Sequence, residues 1–146
     1  MTVGARLKGW MKLPPGDRPR LLLMTMGLPL VSLALASLGY KRTLHGIQRL
    51  SPGAGTRATT ADDIGHAQRL AELAWLAGTY GPVRATCLRQ SLLTYLCLRR
   101  RGLAPQLRLG ARHQEGRFDA HAWVELDGHA LGQKDLQHSP FEPRTS

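Results

Sequence analysis

The sequence predicts an α+β fold, with helices first and a small antiparallel sheet after them. As far as Gly102 apolar residues recur at helical spacing, whereas from Leu107 to Leu126 they alternate with polar residues as in strands. Asp127-Gly128, after the second alternating segment, is the signal of a two-residue turn that joins antiparallel strands. A chain of 146 residues is long enough to bury a hydrophobic core within one domain.

The N-terminal part is predicted to be a basic arm followed by helices. Pro14-Pro15-Gly16 favours irregular structure over residues 1–20. Asp17 can cap a helix that begins near Pro19, because proline is tolerated in the first helical turn. A second helix is expected from about Pro29 to Leu50, where an apolar stripe recurs at helical spacing.

A Pro- and Gly-rich stretch after Leu50 predicts a boundary between two parts of the chain. Residues 1–58 form the basic arm and the N-terminal helices in this interpretation. Residues 59–146 form the part that carries the chemistry, and both parts belong to one compact unit.

Residues 21–40 carry no charge and follow a basic stretch. This pattern fits a buried helix, a helix apposed to a membrane, a membrane span or a secretory signal. Pro29 interrupts the segment, and Thr25, Ser32 and Ser37 dilute it. We therefore favour a buried or membrane-apposed helix and include peripheral membrane association among the expectations.

The chain is strongly basic, with a formal net charge of +10. Its densest basic stretch, residues 84–112, holds seven Arg and no acid, but only one aromatic residue, Tyr95. Binding of nucleic acid by base stacking needs aromatic side chains among the cations, so we expect no nucleic-acid partner. The charge suits an acidic peptide, a partner protein or a phospholipid surface.

Two more helices are predicted before the sheet. Thr60 precedes acidic residues and an apolar pattern at helical spacing, which indicates a helix that ends near residues 78–81. Thr86 is the expected N-cap of a central helix that is apolar on nearly every side and therefore lies inside the domain. The Arg99–Gly102 run ends this helix, because cations favour its negative end and glycine supplies a left-handed cap.

Three strands are predicted after Gly102. Alternation defines the first strand around Leu107 to Ala111 and the second from Phe118 to Leu126, where His121 shares a face with Trp123 and Glu125. The hairpin turn then returns the chain as a third strand from Ala130 to about Lys134.

Cys87 is the candidate nucleophile, because it falls in the first turn of the central helix. Unpaired backbone N–H groups and the positive end of the helix dipole favour a thiolate there, and the same amides can hold an oxyanion. His121 is the candidate general base, on a strand expected to pack against that helix. Trp123 is expected to shield the pair from bulk water, and Cys97, among leucines, is interpreted as a structural cysteine.

The two cysteines also indicate a compartment. Cys87 and Cys97 lie ten residues apart in one predicted helix. About 15 Å of helical rise then separates them, which is too far for a disulfide. Reduced thiols and a cytoplasmic setting are therefore expected.

Four motifs follow one another within residues 84–131: CL-x-x-SL from Cys87, RRRG from Arg99, L-x-L-G from Leu107 and AHAWVE-x-x-G from Ala120. In this order and spacing they closely resemble the C-terminal peptidase domain of lasso-peptide maturation proteins, the microcin J25-processing family with a transglutaminase-like fold. The resemblance implies a papain/transglutaminase-like cysteine peptidase, in which Cys87 and His121 match the catalytic cysteine and histidine. It implies no cofactor and no metal.

The resemblance further implies that the chain removes the leader from a ribosomally made lasso-peptide precursor. A partner cyclase can then close the macrolactam on the new amino terminus. Longer members of this family carry an N-terminal leader-recognition domain, and the basic helical segment in residues 1–58 does not resemble one. The expected partners are therefore the precursor peptide, a separate leader-recognition protein and the lasso cyclase.

The third catalytic residue is left open. The family's Asp, about twelve residues after the histidine, falls here on Gln133, and Asp135 lies two residues beyond. Gln133 can accept the imidazole N–H as a neutral amide, whereas Asp135 needs a small register shift or bulge. A strict two-residue turn pairs His121 with Lys134 and puts neither candidate on its face. Asp135 is slightly favoured, because a carboxylate better stabilises an imidazolium.

Three alternatives accompany this interpretation. The main one is a binding module that keeps the fold but has no activity, since the family's Asp is missing at position 133. A metal site formed by His113, His121 and His129 is weaker, because their spacing matches no tight ligand pair. Acyl transfer to an amine uses the same acyl-enzyme as hydrolysis, so the sequence leaves it open.

Overall fold

The computed structural model describes residues 3–80, 86–114, 116–132 and 139–141. Helices precede strands along this part of the chain, which agrees with the predicted α+β class. The helices are α1 (Val3–Lys12), α2 (Asp17–Leu50), α3 (Ala61–Tyr80) and α4 (Cys87–Arg100). The strands are β1 (Gln106–Gln114), β2 (Arg117–Leu126), β3 (His129–Ala130) and β4 (Ser139–Phe141).

The prediction of irregular structure for residues 1–20 is wrong over much of that range, because residues 3–12 form helix α1. Proline restricts the residue just before it, so Pro14 ends a helix without preventing one upstream. The guanidinium of Arg18 donates to the carbonyl of Met11 (3.0 Å), which holds the end of α1 against the start of α2.

α2 consists of two helical segments that meet at Gly39, whereas the second helix was predicted to begin near Pro29. It begins at Asp17, with Gly16 rather than Asp17 at the N-cap position, and it runs through Pro29. Leu28 and Val31, on either side of the proline, are buried, so packing in the core outweighs the hydrogen bond that proline removes. The helix breaks instead at Gly39, whose φ of 79° and ψ of 172° are not helical.

The two helices predicted just before the sheet are confirmed. α3 begins after Thr60, which forms a capping box with Asp63. The Asp63 N–H donates to Thr60 Oγ1 (3.2 Å), and the Thr60 N–H donates to the Asp63 carboxylate (2.9 Å). α4 begins at Cys87 with Thr86 at its N-cap and ends just before the predicted glycine. Residues 91–95 of α4 are all buried, as expected for a helix inside the domain.

The sheet is antiparallel, in the order β3-β2-β1-β4. β1 and β2 pair from Gln106↔Glu125 to Gln114↔Arg117. The predicted turn is confirmed, because Asp127 and Gly128 both have positive φ, 51° and 80°, as a type I′ turn requires. β3 covers His129–Ala130 and ends where the chain turns at Leu131-Gly132. The rest of the predicted third strand, residues 133 and 134, lies outside the described residues. β4, beside β1, was not predicted.

One hydrophobic core joins α2, α3, α4 and the sheet. Its most buried side chains come from all of these elements and from the segment after α4: Met24, Leu28, Leu73, Leu92, Leu98, Leu103 and Leu126. The division of the chain at residue 58 stays a prediction. Within the described residues, α2 is the one helix long and apolar enough to span a membrane, by length and composition alone.

Candidate active site

Cys87 is the first residue of α4 and is half-buried. Thr86 before it has an extended backbone, with φ −70° and ψ 164°, and its carbonyl accepts the first helical hydrogen bond from the Gln90 N–H (3.1 Å). The Thr86 side chain makes no capping hydrogen bond. The first N–H groups of a helix have no partner within the helix and carry its positive dipole end, so the Cys87 thiol lies where negative charge is stabilised.

His121 lies on β2, where it pairs with Gly110 of β1. On the other side of β2, the described residues of β3 pair with Glu125 and Leu126. The hydroxyl of Ser91, on α4, donates a hydrogen bond to the carbonyl oxygen of Ala122, the residue after His121 (3.0 Å). A buried carbonyl needs a hydrogen-bond partner, and this bond fixes where α4 meets the strand that carries His121.

Cys87 and His121 line the same cavity, which has a volume of about 350 Å³. It lies where α4 meets β2, and side chains of α3 and of the turn after β3 complete it. The lining residues are Ala71, Trp75, Thr79, Cys87, Gln90, Ser91, Thr94, His121, Ala122, Trp123, Val124, Leu131 and Gly132. The structure therefore brings together the two candidates on which the sequence interpretation depends. Gln133 and Asp135, the candidates for the third position, lie outside the described residues.

A row of side chains on β2 and β1 holds the imidazole in place. The rings of His121 and Trp123 are stacked, with centroids 5.8 Å apart and planes inclined by 19°. The indole N–H of Trp123 donates to Glu125 (3.2 Å), and Glu125 accepts from Arg108 of β1 (3.2 Å). Because Trp123 is only 5% exposed, its position is fixed by packing as well as by this hydrogen bond.

Cys97 has the surroundings predicted for a structural cysteine. It lies in α4 among partly buried apolar side chains that pack on the core. Burial raises the pKa of the Cys97 thiol, and the nearby Arg100 only partly opposes this effect. Since the thiolate is the nucleophilic form, Cys97 is poorly suited to react at neutral pH.

Several residues that line the cavity were not singled out from the sequence. Gln90 and Thr94 follow Cys87 by three and seven residues in α4, so helical periodicity places them on its face. Ala71, Trp75 and Thr79 are spaced by four residues in α3. A methyl group at Gly78 would overlap the amide end of the Gln90 side chain, so replacing this glycine would displace Gln90 from its present position.

No group of three His, Cys, Asp or Glu side chains able to hold a metal ion occurs among the residues that the structure describes. His113 belongs to the alternative metal site considered above, with His121 and His129, and its side chain is not among those that the structure describes.

Comparison with known protein families matches residues 28–146 to the transglutaminase-like superfamily. The matched segment begins in α2 and includes both Cys87 and His121. This superfamily contains cysteine peptidases and transglutaminases. No curated protein and no solved structure matches the chain.

Proposed function

Because the chain belongs to the transglutaminase-like superfamily, we propose that it is a cysteine peptidase that removes the leader from a lasso-peptide precursor. Cys87 is the nucleophile and His121 the general base in this proposal. The observation that carries it is the shared cavity, in which the thiol at the start of α4 and the imidazole on β2 both form part of the wall.

In the first step the His121 imidazole takes the thiol proton, and Cys87 Sγ attacks the carbonyl carbon at the end of the leader. The carbonyl oxygen becomes an oxyanion, which the free N–H groups of the first turn of α4 can stabilise. The C–N bond then breaks, and the imidazolium gives its proton to the leaving amine. That amine is the new amino terminus of the released peptide, and the leader stays on Cys87 as a thioester.

In the second step water attacks the thioester. His121 takes a proton from this water, the C–S bond breaks, and the leader leaves with a carboxylate terminus while the thiol is restored. An amine in place of water would give acyl transfer instead. Trp123 stacks on the His121 ring and lines the cavity, so in this proposal it shields the imidazole on one side from bulk water.

The substrate class in this proposal comes from the motif order in residues 84–131, which resembles lasso-peptide leader peptidases. The precursor peptide, a separate leader-recognition protein and the lasso cyclase are the proposed partners. An excess of Lys and Arg over acids, with a net charge of +10, suits contact with acidic segments of the precursor or of the recognition protein.

For the third role we propose Asp135 ahead of Gln133, because a carboxylate stabilises an imidazolium better than an amide does. Substituting each residue singly by Ala and measuring the cleavage rate separates them. The residue that orients His121 is the one whose loss lowers kcat, and a rate unchanged in both variants would contradict any triad.

The test of Cys87 uses the full chain with a synthetic lasso-peptide precursor and a leader-recognition protein, followed by mass spectrometry of the products. Cys87→Ala should lower cleavage by at least about a thousandfold, because no other group supplies the acyl-enzyme. Cys97→Ala is the matched control and should cleave at close to the wild-type rate, since Cys97 is not among the residues that line the cavity.

A second measurement is the alkylation of the two thiols by iodoacetamide, which needs no substrate. Cys87 should be labelled well before Cys97, and His121→Ala should slow labelling of Cys87 at neutral pH because the thiol loses its base. Cleavage that survives in Cys87→Ala would overturn the proposal. A folded chain that neither cleaves the precursor nor labels at Cys87 would instead be the inactive binding module.

A further inference from the structure

α2 has two apolar faces, and only one of them is used in the core. Met24, Leu28 and Val31 are buried, at 0%, 1% and 7% exposure. The opposite face carries a second set of large apolar side chains, which we call the α2 stripe and which are between 51% and 69% exposed: Leu22, Leu23, Met26, Leu30 and Leu33.

The α2 stripe is a continuous surface. Leu22, Met26, Leu30 and Leu33 are spaced by four, four and three residues, so they lie on one side of the helix over about 16 Å of its length. Single exposed leucines are ordinary, but a contiguous set of this kind marks a surface that contacts another apolar phase.

The stripe lies in the part of the chain that carries most of the net positive charge. Residues 1–60 contain nine Lys and Arg but one acid, Asp17, which is +8 of the total +10. Asp17 is itself buried and paired with Arg69 (2.8 Å) and Arg20 (3.4 Å). Exposed cations precede the stripe in α1 and follow it in α2, namely Lys8 and Lys12 before it and Lys41 and Arg42 after it.

From this combination we propose that the α2 stripe docks on an anionic phospholipid bilayer. Leucine and methionine side chains enter the acyl boundary, and the flanking Lys and Arg contact the lipid headgroups, as in interfacial amphipathic helices. The stripe has no Trp, Tyr or Arg of the kind that anchors protein interfaces. Together with the exposed cations before and after it, this composition favours an anionic bilayer over a protein partner.

The same structure argues for a helix that lies on the membrane rather than across it. The inner face of α2 packs closely on α4, since a methyl group at Gly27 would lie 2.8 Å from Leu93 Cδ1. Insertion across a bilayer would separate Met24 and Leu28 from the core. Surface docking leaves these contacts intact.

The test is flotation of the purified full chain with vesicles of phosphatidylcholine, with or without phosphatidylglycerol. We expect binding to the anionic vesicles, at least about tenfold weaker binding to the neutral ones, and loss of binding at high salt. The double variant Met26→Gln and Leu30→Gln should bind anionic vesicles at least about tenfold more weakly.

Leu50→Gln is the matched control, because Leu50 is equally exposed, at 68%, but lies at the far end of α2 beyond the break at Gly39. It should bind like the wild type, and circular dichroism should show all variants folded. Equal binding of wild type and double variant would overturn the proposal. Failure of the wild type to bind anionic vesicles would also overturn the proposal. If, in that case, the double variant lost binding to a purified leader-recognition protein, the α2 stripe would be a protein interface instead. Neither result bears on Cys87 and His121.

Discussion

Ser91 ties the helix with the candidate nucleophile to the strand with the candidate base. Its hydroxyl donates to the Ala122 carbonyl, one residue from His121. Ser91→Ala removes this buried hydrogen bond, so we expect the free energy of unfolding to fall by about 1–3 kcal/mol. A small shift of α4 against β2 should also lower kcat by about tenfold or more. Chemical denaturation and steady-state kinetics of precursor cleavage measure the two effects.

The control for Ser91 is Thr43→Ala. Thr43 is also buried, and its hydroxyl donates to the Gly39 carbonyl (2.7 Å) within α2, away from the cavity. It should lose comparable stability but keep kcat. If both variants lose kcat in proportion to stability, Ser91 has no positioning role.

At the residue scale, local signals made Cys87 and His121 candidates, and the family resemblance of residues 84–131 then assigned them the catalytic roles, which stay a prediction. Cys87 stands at a predicted helix start and His121 in an alternating strand, and both line the cavity. The contacts of Gln90 and the bond from Ser91 to Ala122 depend on how α4 docks on α3 and β2. Such contacts between distant segments leave no pattern in the sequence, so they could not be predicted.

The start of α3 is stabilised by charge as well as by its capping box. Arg57 forms two hydrogen bonds with the Asp63 carboxylate (2.7 and 2.9 Å). The hydrogen bonds from Arg57 are the largest cause, and the hydrogen bond from the Thr60 N–H the next largest, that hold the pKa of Asp63 well below its usual range. A carboxyl with a lowered pKa in the folded state stabilises the fold above its unfolded pKa, near 4, and loses that effect as the pH falls further.

We therefore expect Asp63→Asn to lower Tm at neutral pH, and the difference from wild type to shrink below about pH 4. Asp62→Asn removes another negative charge from the same helical turn, so it controls for the helix dipole and should have the smaller effect. Thermal unfolding followed by circular dichroism across this pH range measures both. A difference that stays constant in acid would show that the ion pair does not stabilise the folded state.

At the element scale, prediction worked where the signal was local. Thr60 and Thr86 begin helices, and Asp127-Gly128 forms the hairpin turn, because capping and turn chemistry depend on a few neighbouring residues. Pro29 was misjudged as a helix start, since the local preference of proline gave way to packing on both sides of it. β4 depends on pairing with a strand far away in sequence, and a segment of three residues carries no periodicity.

At the scale of the whole molecule, α2 determines how the fold and the α2 stripe are related. Because its inner face is part of the core, Leu28→Ala should lower the free energy of unfolding by about 2–5 kcal/mol, the usual cost of a buried Leu-to-Ala change. Leu30→Ala, two residues away and 69% exposed where Leu28 is 1% exposed, should change it by less than about 0.5 kcal/mol. Urea unfolding of both variants, without lipid, measures the difference. Equal effects would mean that α2 does not pack on the core as described, and a spanning helix would then fit its hydropathy better than a docked one.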